Sequence, residues 1–260
     1  MTLTISSARR LMDAVEKCQL ADALGDSPET ALAVHLLRKG GGEAYVAGDL
    51  PDPRAVLLEA YDVGPELLAF GADAEALVSM LAGIREWEAV NAQANIGPRL
   101  AALIADELCI PNHIVDDIYQ VPGGPVEVVS HPDVRMLTHA DVDMLNATPD
   151  DIRDSFDDDL HAVLGEELIA GAVVDGRIVS VGCTYGFHEK FVDVAISTLP
   201  EYRGRGYARA AASLVVSRTQ AAGHVPIWSC APTNTASLAV AQTLGFREWS
   251  RRANIWLGEA

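Results

Sequence analysis

The sequence predicts a mixed α/β (α+β) chain organised as two domains, and three observations carry that prediction. Short apolar runs bounded by Gly, Pro or Asp alternate with segments whose apolar residues recur at three-to-four spacing, the patterns of strands and helices respectively. The alternation occurs twice in comparable order, once on each side of the turn-rich Val121-Pro122-Gly123-Gly124-Pro125. In the second series an apolar strand, Phe191 to Thr198, leads through Tyr202-Arg203-Gly204-Arg205-Gly206-Tyr207-Ala208 into a long alanine-rich helix.

The first domain is placed at residues 1–125. A helix is expected from Ser6 to Leu24, where Leu11, Ala14, Val15 and Cys18 share a face, and another from Glu29 to Arg38. Three strands follow, Ala44 to Ala47, Ala55 to Leu58 and Leu67 to Phe70. Asp73 is then placed as the N-cap of a helix ending at Ala82. Arg85 to Val90 reads as a strand, Asn95 to Leu108 as a helix and His113 to Val121 as extended chain, giving the order β-β-β-α-β-α-β.

The second domain is placed at residues 126–260. Its expected elements are a strand at Val134 to Leu137, helices at His139 to Ala147 and Asp150 to Leu164, and strands near 167–174, 177–185 and 191–198. A helix from Ala208 to Ala221, a strand from Pro226 to Cys230, a helix opened by Asn234 and a final strand from Ala253 to Leu257 complete it. Asn234 suits an N-cap and Gly245 the residue just past a helix C-terminus. Because the two series are comparable, the first half fits either a degenerate copy of the second or an unrelated, smaller α/β domain.

The junction at residues 202–208 has specific chemistry. The first N–H groups of a helix lack intrahelical acceptors and the macrodipole adds partial positive charge, so a pyrophosphate is stabilised there. Gly204 and Gly206 allow close backbone approach, and Arg203 and Arg205 add positive charge. The spacing departs from the dinucleotide-binding and Walker patterns. Arg203 to Ala208 reads R-x-x-G-x-A, with Pro200 upstream, and Asn234 is followed eleven and twelve residues later by Gly245-Phe246.

In these motifs the chain resembles the GCN5-related N-acetyltransferase (GNAT) family over roughly residues 130–257. With Trp228 ahead of Asn234 and Ser237 after it, it is similar to a subgroup that carries an additional N-terminal domain. The resemblance implies a mixed, mostly antiparallel sheet flanked by helices and acetyl-CoA as co-substrate. It assigns the backbone of Ile196, Ser197 and Thr198 to the pantetheine arm, with an N–H near Thr198 facing the developing oxyanion. The loop residues Arg203, Gly204, Arg205, Gly206, Tyr207 and Ala208 are assigned to the pyrophosphate, and Asn234 to a place near the pantetheine. At the corresponding junction of the first half, Phe70-Gly71-Ala72-Asp73, the R-x-x-G-x-A pattern is missing and Asp73 would repel a phosphate.

Acyl transfer from a thioester to an amine further needs a neutral amine and a stabilised leaving thiolate. Asp193 in the strand and Glu189 in the preceding turn, beside His188, are the candidate bases; Asp193 equally suits the solvent side of a strand. The phenol that many family members carry seven residues after the motif Asn corresponds to Ala241 here. Ser237 could serve the thiolate or cap the helix, and Tyr185 and Tyr202 are nearby phenols. No cysteine suits a covalent intermediate, Cys230 reading as a small core residue, so direct attack is expected. The expected acceptor is a small, cationic amine. The aspartates at 150, 151, 154, 157, 158 and 159 would steer it, or would form a solvated face. The alternative class is a non-catalytic acyl-CoA-binding sensor or scaffold.

Composition excludes other classes. The 260 residues carry a formal charge of −18 without a basic stripe, which argues against a nucleic-acid partner. No His pair or CxxC has ligand spacing, so no metal is expected, and there is no GxSxG of a hydrolase. Neither a signal peptide nor an apolar run long enough to span a membrane is read, so the expectation is a soluble cytoplasmic protein.

Overall fold

A computed structural model describes residues 8–11, 13–59, 66–153, 156 and 160–258. The chain forms two compact units, Met1–Ile118 together with Ser250–Ala260, and Tyr119–Trp249. The boundary expected near residue 125 thus lies at Ile118/Tyr119, and the terminal segment returns to the first unit.

In chain order the elements are β1 (Ala8–Leu11), α1 (Ala14–Leu24), α2 (Ala31–Arg38), β2 (Glu43–Ala47), β3 (Ala55–Glu59), β4 (Glu66–Gly71), α3 (Ala74–Leu81), β5 (Ala89–Gln93), α4 (Gly97–Glu107) and β6 (Asn112–Pro122). They continue with β7 (Val134–Met136), a 3-10 turn at His139–Asp141, α5 (Val142–Asn146), α6 (Asp150–Arg153), α7 (Leu160–Glu166), β8 (Ile169–Val174), β9 (Arg177–His188) and β10 (Phe191–Thr198). After a 3-10 turn at Pro200–Tyr202 come α8 (Tyr207–Ala221), β11 (Val225–Cys230), α9 (Thr235–Thr243) and β12 (Phe246–Leu257).

In the first unit β1 to β4 form an antiparallel meander and β5 joins β4 in parallel. The C-terminal part of β12 pairs antiparallel with β5, from Arg252↔Gln93 to Trp256↔Ala89. The two faces of this sheet bury separate cores. Leu57, Leu67 and Ala69 pack against α3 and α4, while Val46, Val56, Leu58 and Phe70 pack against α1 and α2. The alternation follows from the two-residue period of a strand. A strand covered on both sides loses its polar face, so Ala55-Val56-Leu57-Leu58 is apolar throughout.

The second unit repeats the plan. Antiparallel β7 to β10 are followed by β11 parallel to β10, with helices after the first strand, after the fourth and after the fifth. Leu145, Ile152 and Leu160 cover one core; Ala211, Ala212, Val215 and Val216 of α8 help to fill the other. Small residues let α8 lie close to the sheet. A Cβ on Gly182 of β9 would stand 2.9 Å from the backbone nitrogen of Ala212, so glycine is required there.

Four expected elements differ from those observed. The helix expected from Asp150 to Leu164 is divided into α6 (Asp150–Arg153) and α7 (Leu160–Glu166), with Phe156 in a bend whose N–H donates to the Arg153 carbonyl at 3.1 Å. The helix expected from Ser6 begins only at Ala14, and Ala8–Leu11 is a strand against β2; Asp13, whose carboxylate accepts from the Val15 N–H at 2.7 Å, is the N-cap that divides them. The strand expected at Arg85–Val90 lies at Ala89–Gln93, and its polar Asn91 and Gln93 obscure its apolar pattern. The final strand starts at Phe246 rather than Ala253, its first half being charged and largely exposed. Asp154, Asp157, Asp158 and Asp159 lie outside the described residues, as do the side chains of Tyr185 and His188. Among the described residues no helix is long and apolar enough to cross a membrane, and no cluster of three or more His, Cys, Asp or Glu could hold a metal.

Candidate active site

The site begins where β10 leaves its neighbour. β10 and β11 pair only from Phe191↔Val225 to Asp193↔Ile227, whereas the ladder between β10 and β9 continues to Thr198↔Ser180. A bulge between Val192 and Asp193 marks the same point. Beyond it, residues 194–198 have one edge paired and the other paired with no strand among the described residues. The paired edge is reinforced: the Ser180 hydroxyl donates to the Ser197 carbonyl at 3.0 Å, and the Leu199 N–H donates to the Val179 carbonyl at 3.0 Å. The strand is therefore held from behind while its open edge faces a cleft.

That cleft has a volume of about 480 Å³. All ten residues read from the sequence as cofactor contacts line it: Ile196 to Thr198, Arg203 to Ala208, and Asn234. Gly204 and Gly206 have φ of 74° and 87°, the left-handed region, and a Cβ at either would meet nothing within 4 Å. Gly206 is the N-cap of α8, so the N–H groups of Tyr207, Ala208 and Arg209 have no acceptor inside the helix. Three arginines line the wall, 203, 205 and 209. Arg203 donates to the Thr198 carbonyl at 3.2 Å, and Arg205 donates to the Glu201 carbonyl at 3.1 Å with its guanidinium 5.1 Å above the Tyr202 ring.

The Tyr207 side chain is engaged away from solvent: it is buried, the hydroxyl lies 3.3 Å from Asp133 Oδ2, and the ring stands edge-on to His131 at 4.8 Å. These contacts fix the first turn of α8 to the segment ahead of β7. Across the cleft, Asn234 caps α9 by accepting from the Ser237 N–H at 3.1 Å. Ser237 is therefore not the cap; its Oγ accepts from the indole N–H of Trp228 at 2.9 Å. Ala241 is fully buried with Trp228, Leu244 and Phe246, facing core rather than cleft.

Asp193 and Glu189 do not line the cleft. Asp193 shares a strand face with Ala195 and Ser197. On that face the Ser197 hydroxyl donates to the Asp151 carbonyl of α6. Glu189 occupies the turn between β9 and β10 with φ of 52°. Among the cysteines, Cys183 is buried, and desolvation pushes its thiol up to about 12, so it holds its proton at neutral pH.

Residues 170–251 match the model of the family described as GNAT acetyltransferase, the segment from β8 through β11 and α9 into β12. The likeness to that family thus falls almost wholly within the second unit. A segment of 78 residues is 38% identical to the uncharacterized N-acetyltransferase YdfB of Bacillus subtilis (strain 168), covering 29% of this chain and 30% of that protein. The chain thus spans about a third of the curated relative that it matches. Among solved structures, a GCN5-related N-acetyltransferase-like protein from Streptococcus suis superposes with a TM-score of 0.67 at 17% identity, over 95% of this chain and 100% of that one. A tandem GNAT protein from the clavulanic acid biosynthesis pathway superposes with a TM-score of 0.55 at 13% identity, over 98% and 100% of the two chains. At these identities the likeness is one of fold, and it extends over both units.

The cleft of the second unit has a counterpart in the first unit, and there it is closed. β4 and β5 pair through Ala69↔Ala92, and only Phe70 to Asp73 separate the last paired residue from α3; in the second unit Val194 to Gly206 lie between the last paired residue and α8. The short connection leaves no loop to form a cradle. Its donors are already used: the Ala72 and Asp73 N–H groups donate to the Arg54 carbonyl at 3.1 and 3.2 Å, and Ala76 N–H donates to Asp73 Oδ1 at 3.0 Å. Gly71 N–H donates to Gln93 Oε1 at 3.1 Å, and Arg252 reaches the Ala69 carbonyl. Side chains of the first unit itself thus satisfy the strand edge that the second unit leaves open.

Proposed function

We propose that the second unit binds acetyl-CoA in the cleft between β10, α8 and α9 and transfers the acetyl group by direct attack of an amine, the acceptor being a small cationic molecule. The observation that carries this reading is the convergence, in one cleft, of an open strand edge, the free N–H groups of a glycine-capped helix and three arginines. Strand edges suit the amide groups of a pantetheine arm, and the helix N-terminus with arginines suits a pyrophosphate. The chemistry that the co-substrate supplies when bound is an activated acyl thioester.

The residues of this chain have distinct tasks in that reading. The backbone of Ile196 to Thr198 orients the arm along β10, and an N–H near Thr198 offers the carbonyl oxygen a donor. The amides of Gly204 to Ala208 hold the pyrophosphate together with Arg203 and Arg205. Asp193, on the face of β10 that α6 covers, takes a proton from the incoming amine through water; Glu189 in the adjoining turn is the second candidate.

Incubation with acetyl-CoA and a panel of primary amines tests the proposal. Amine-dependent release of free thiol, with the acetylated amine detected by mass spectrometry, is the expected result. The buried Ala241, at the position where the resemblance leads one to expect a phenol, favours a second reading as an acyl-CoA-binding sensor. Tight binding without thiol release by any amine would establish that reading instead.

A further inference from the structure

We infer that the cavity between α5 and the hairpin of β8 and β9 is a second ligand site, which takes a small zwitterion: an α-amino acid with an apolar side chain. The cavity has a volume of about 210 Å³ and shares no lining residue with the cleft of β10, α8 and α9. Since an apolar cavity of about 150 Å³ takes up benzene, there is room here for a molecule the size of leucine.

The local sequence builds this cavity. Asp175 and Gly176 have φ of 50° and 75°, the positive values of a two-residue hairpin turn, and Val174 pairs with Arg177 across it. That turn fixes where Arg177 and Ile178 begin β9. On α5, Asp143 and Ala147 lie one turn apart, the Ala147 N–H donating to the Asp143 carbonyl at 3.1 Å, while Leu145 on the other side of the helix is fully buried. Ile178, 2% exposed, floors the cavity, Met144 and Pro149 wall it, and the exposed Asp143 and Arg177 stand at its rim.

The observation that carries the inference is that these two opposite charges line one cavity without neutralising each other. Neither side chain has an ion pair or a hydrogen bond among the described residues. Close by in the chain, Asp141 is gripped by Arg135 at 2.8 and 2.6 Å. The cavity therefore keeps a positive and a negative pole apart, which is the charge pattern of an amino acid's head. A guanidinium fork receives a carboxylate through paired N–H bonds, and a carboxylate accepts from an ammonium group. Thr148 adds an acceptor, because its hydroxyl hydrogen goes to the Leu145 carbonyl at 2.6 Å and leaves lone pairs on Oγ1. Met144, Pro149 and Ile178 offer the ligand's side chain apolar surface, which disfavours a charged one. A phosphate or a polyamine, carrying charge of one sign, would leave one pole unmatched.

Calorimetry of the full chain at pH 7 with L-leucine, L-valine and L-methionine tests the site. Two leucine analogues each lack one charge of the head: leucinamide has no carboxylate and isocaproate no ammonium group. Leucine is expected to bind at one site per chain, and each analogue about tenfold more weakly, the loss of one charge-assisted contact. Arg177→Gln should weaken leucine by about that factor and leave leucinamide unaffected, and Asp143→Asn should weaken leucine and leave isocaproate unaffected. A purely structural effect of either substitution would move both ligands together. Circular dichroism checks that the variants are folded, and the analogues interrogate the wild-type chain in any case. Leucine binding should persist when coenzyme A is present in excess. The inference is overturned if none of the three amino acids binds at millimolar concentration, if both variants bind leucine as the wild type does, or if coenzyme A displaces it. Failure of the acetyl-CoA reading would leave the leucine titration unchanged.

Discussion

Arg252 of β12 crosses beneath β5 to donate through Nη2 to the carbonyl of Ala69 on β4, at 2.8 Å. The same group donates to the Asn91 carbonyl at 2.8 Å, Nε bonds the Asn91 side chain, and the guanidinium lies 4.5 Å above the Phe70 ring. Only 1% of this arginine is exposed. Its removal leaves buried carbonyls without a donor and a void in the sheet. Arg252→Ala is expected to cost about 2–4 kcal/mol, measured by denaturant unfolding. A change within 0.5 kcal/mol, about the effect of a surface substitution, would contradict this placement.

Closure of the first unit's cleft predicts the binding stoichiometry. Isothermal titration of the full chain with coenzyme A should give one site per chain. Two equivalent sites would show that the short Phe70 to Asp73 connection opens to admit a ligand.

Gly206 supplies the most direct test of the cradle. With φ at 87° and open space where a Cβ would stand, Gly206→Asp places both a strained backbone and a negative charge beside the helix N-terminus. Acetyl-CoA binding is expected to be abolished while the circular dichroism spectrum stays that of the wild type. Retained affinity in calorimetry refutes the assignment of this loop.

Acid stability should report the pair Arg135 and Asp141. The guanidinium grips the carboxylate at 2.8 and 2.6 Å; with the Thr138 N–H at 2.8 Å it outweighs burial and holds Asp141 at about 2. A carboxyl lowered on folding stabilises the folded state above its unfolded value near 4, and this contribution is lost as pH falls from about 4 towards 2. Because Arg135 is about half exposed, a discounted contribution of about 1–2 kcal/mol is expected. Asp141→Asn should lose that much at pH 7 and flatten the stability profile between pH 4 and 2; an unaltered profile would deny the pair this role.

The cleft was legible because its parts are local. Gly204, Gly206 and the alanine-rich segment announce a helix N-terminus within a few residues, and Asn234 with Gly245 announces both ends of α9. What the sequence concealed is tertiary. The bond from Trp228 to Ser237 joins a strand to the following helix, and only its geometry shows that Asn234, not the serine, caps α9. Asn91 and Gln93 weaken the strand signal of β5 because their partners, Arg252 and the Gly71 N–H, lie on other strands. Arg9 and Arg10, exposed in β1, likewise break up the apolar alternation that would have marked a strand.

The return of Ser250–Ala260 to the first unit bears on biosynthesis. Residues 8–118 emerge from the ribosome early, yet β5 lacks its neighbour until Arg252 to Trp256 have been translated. The first unit is thus completed only after the second has been synthesised, and a nascent chain arrested before residue 250 should expose the bare edge of β5 to chaperones.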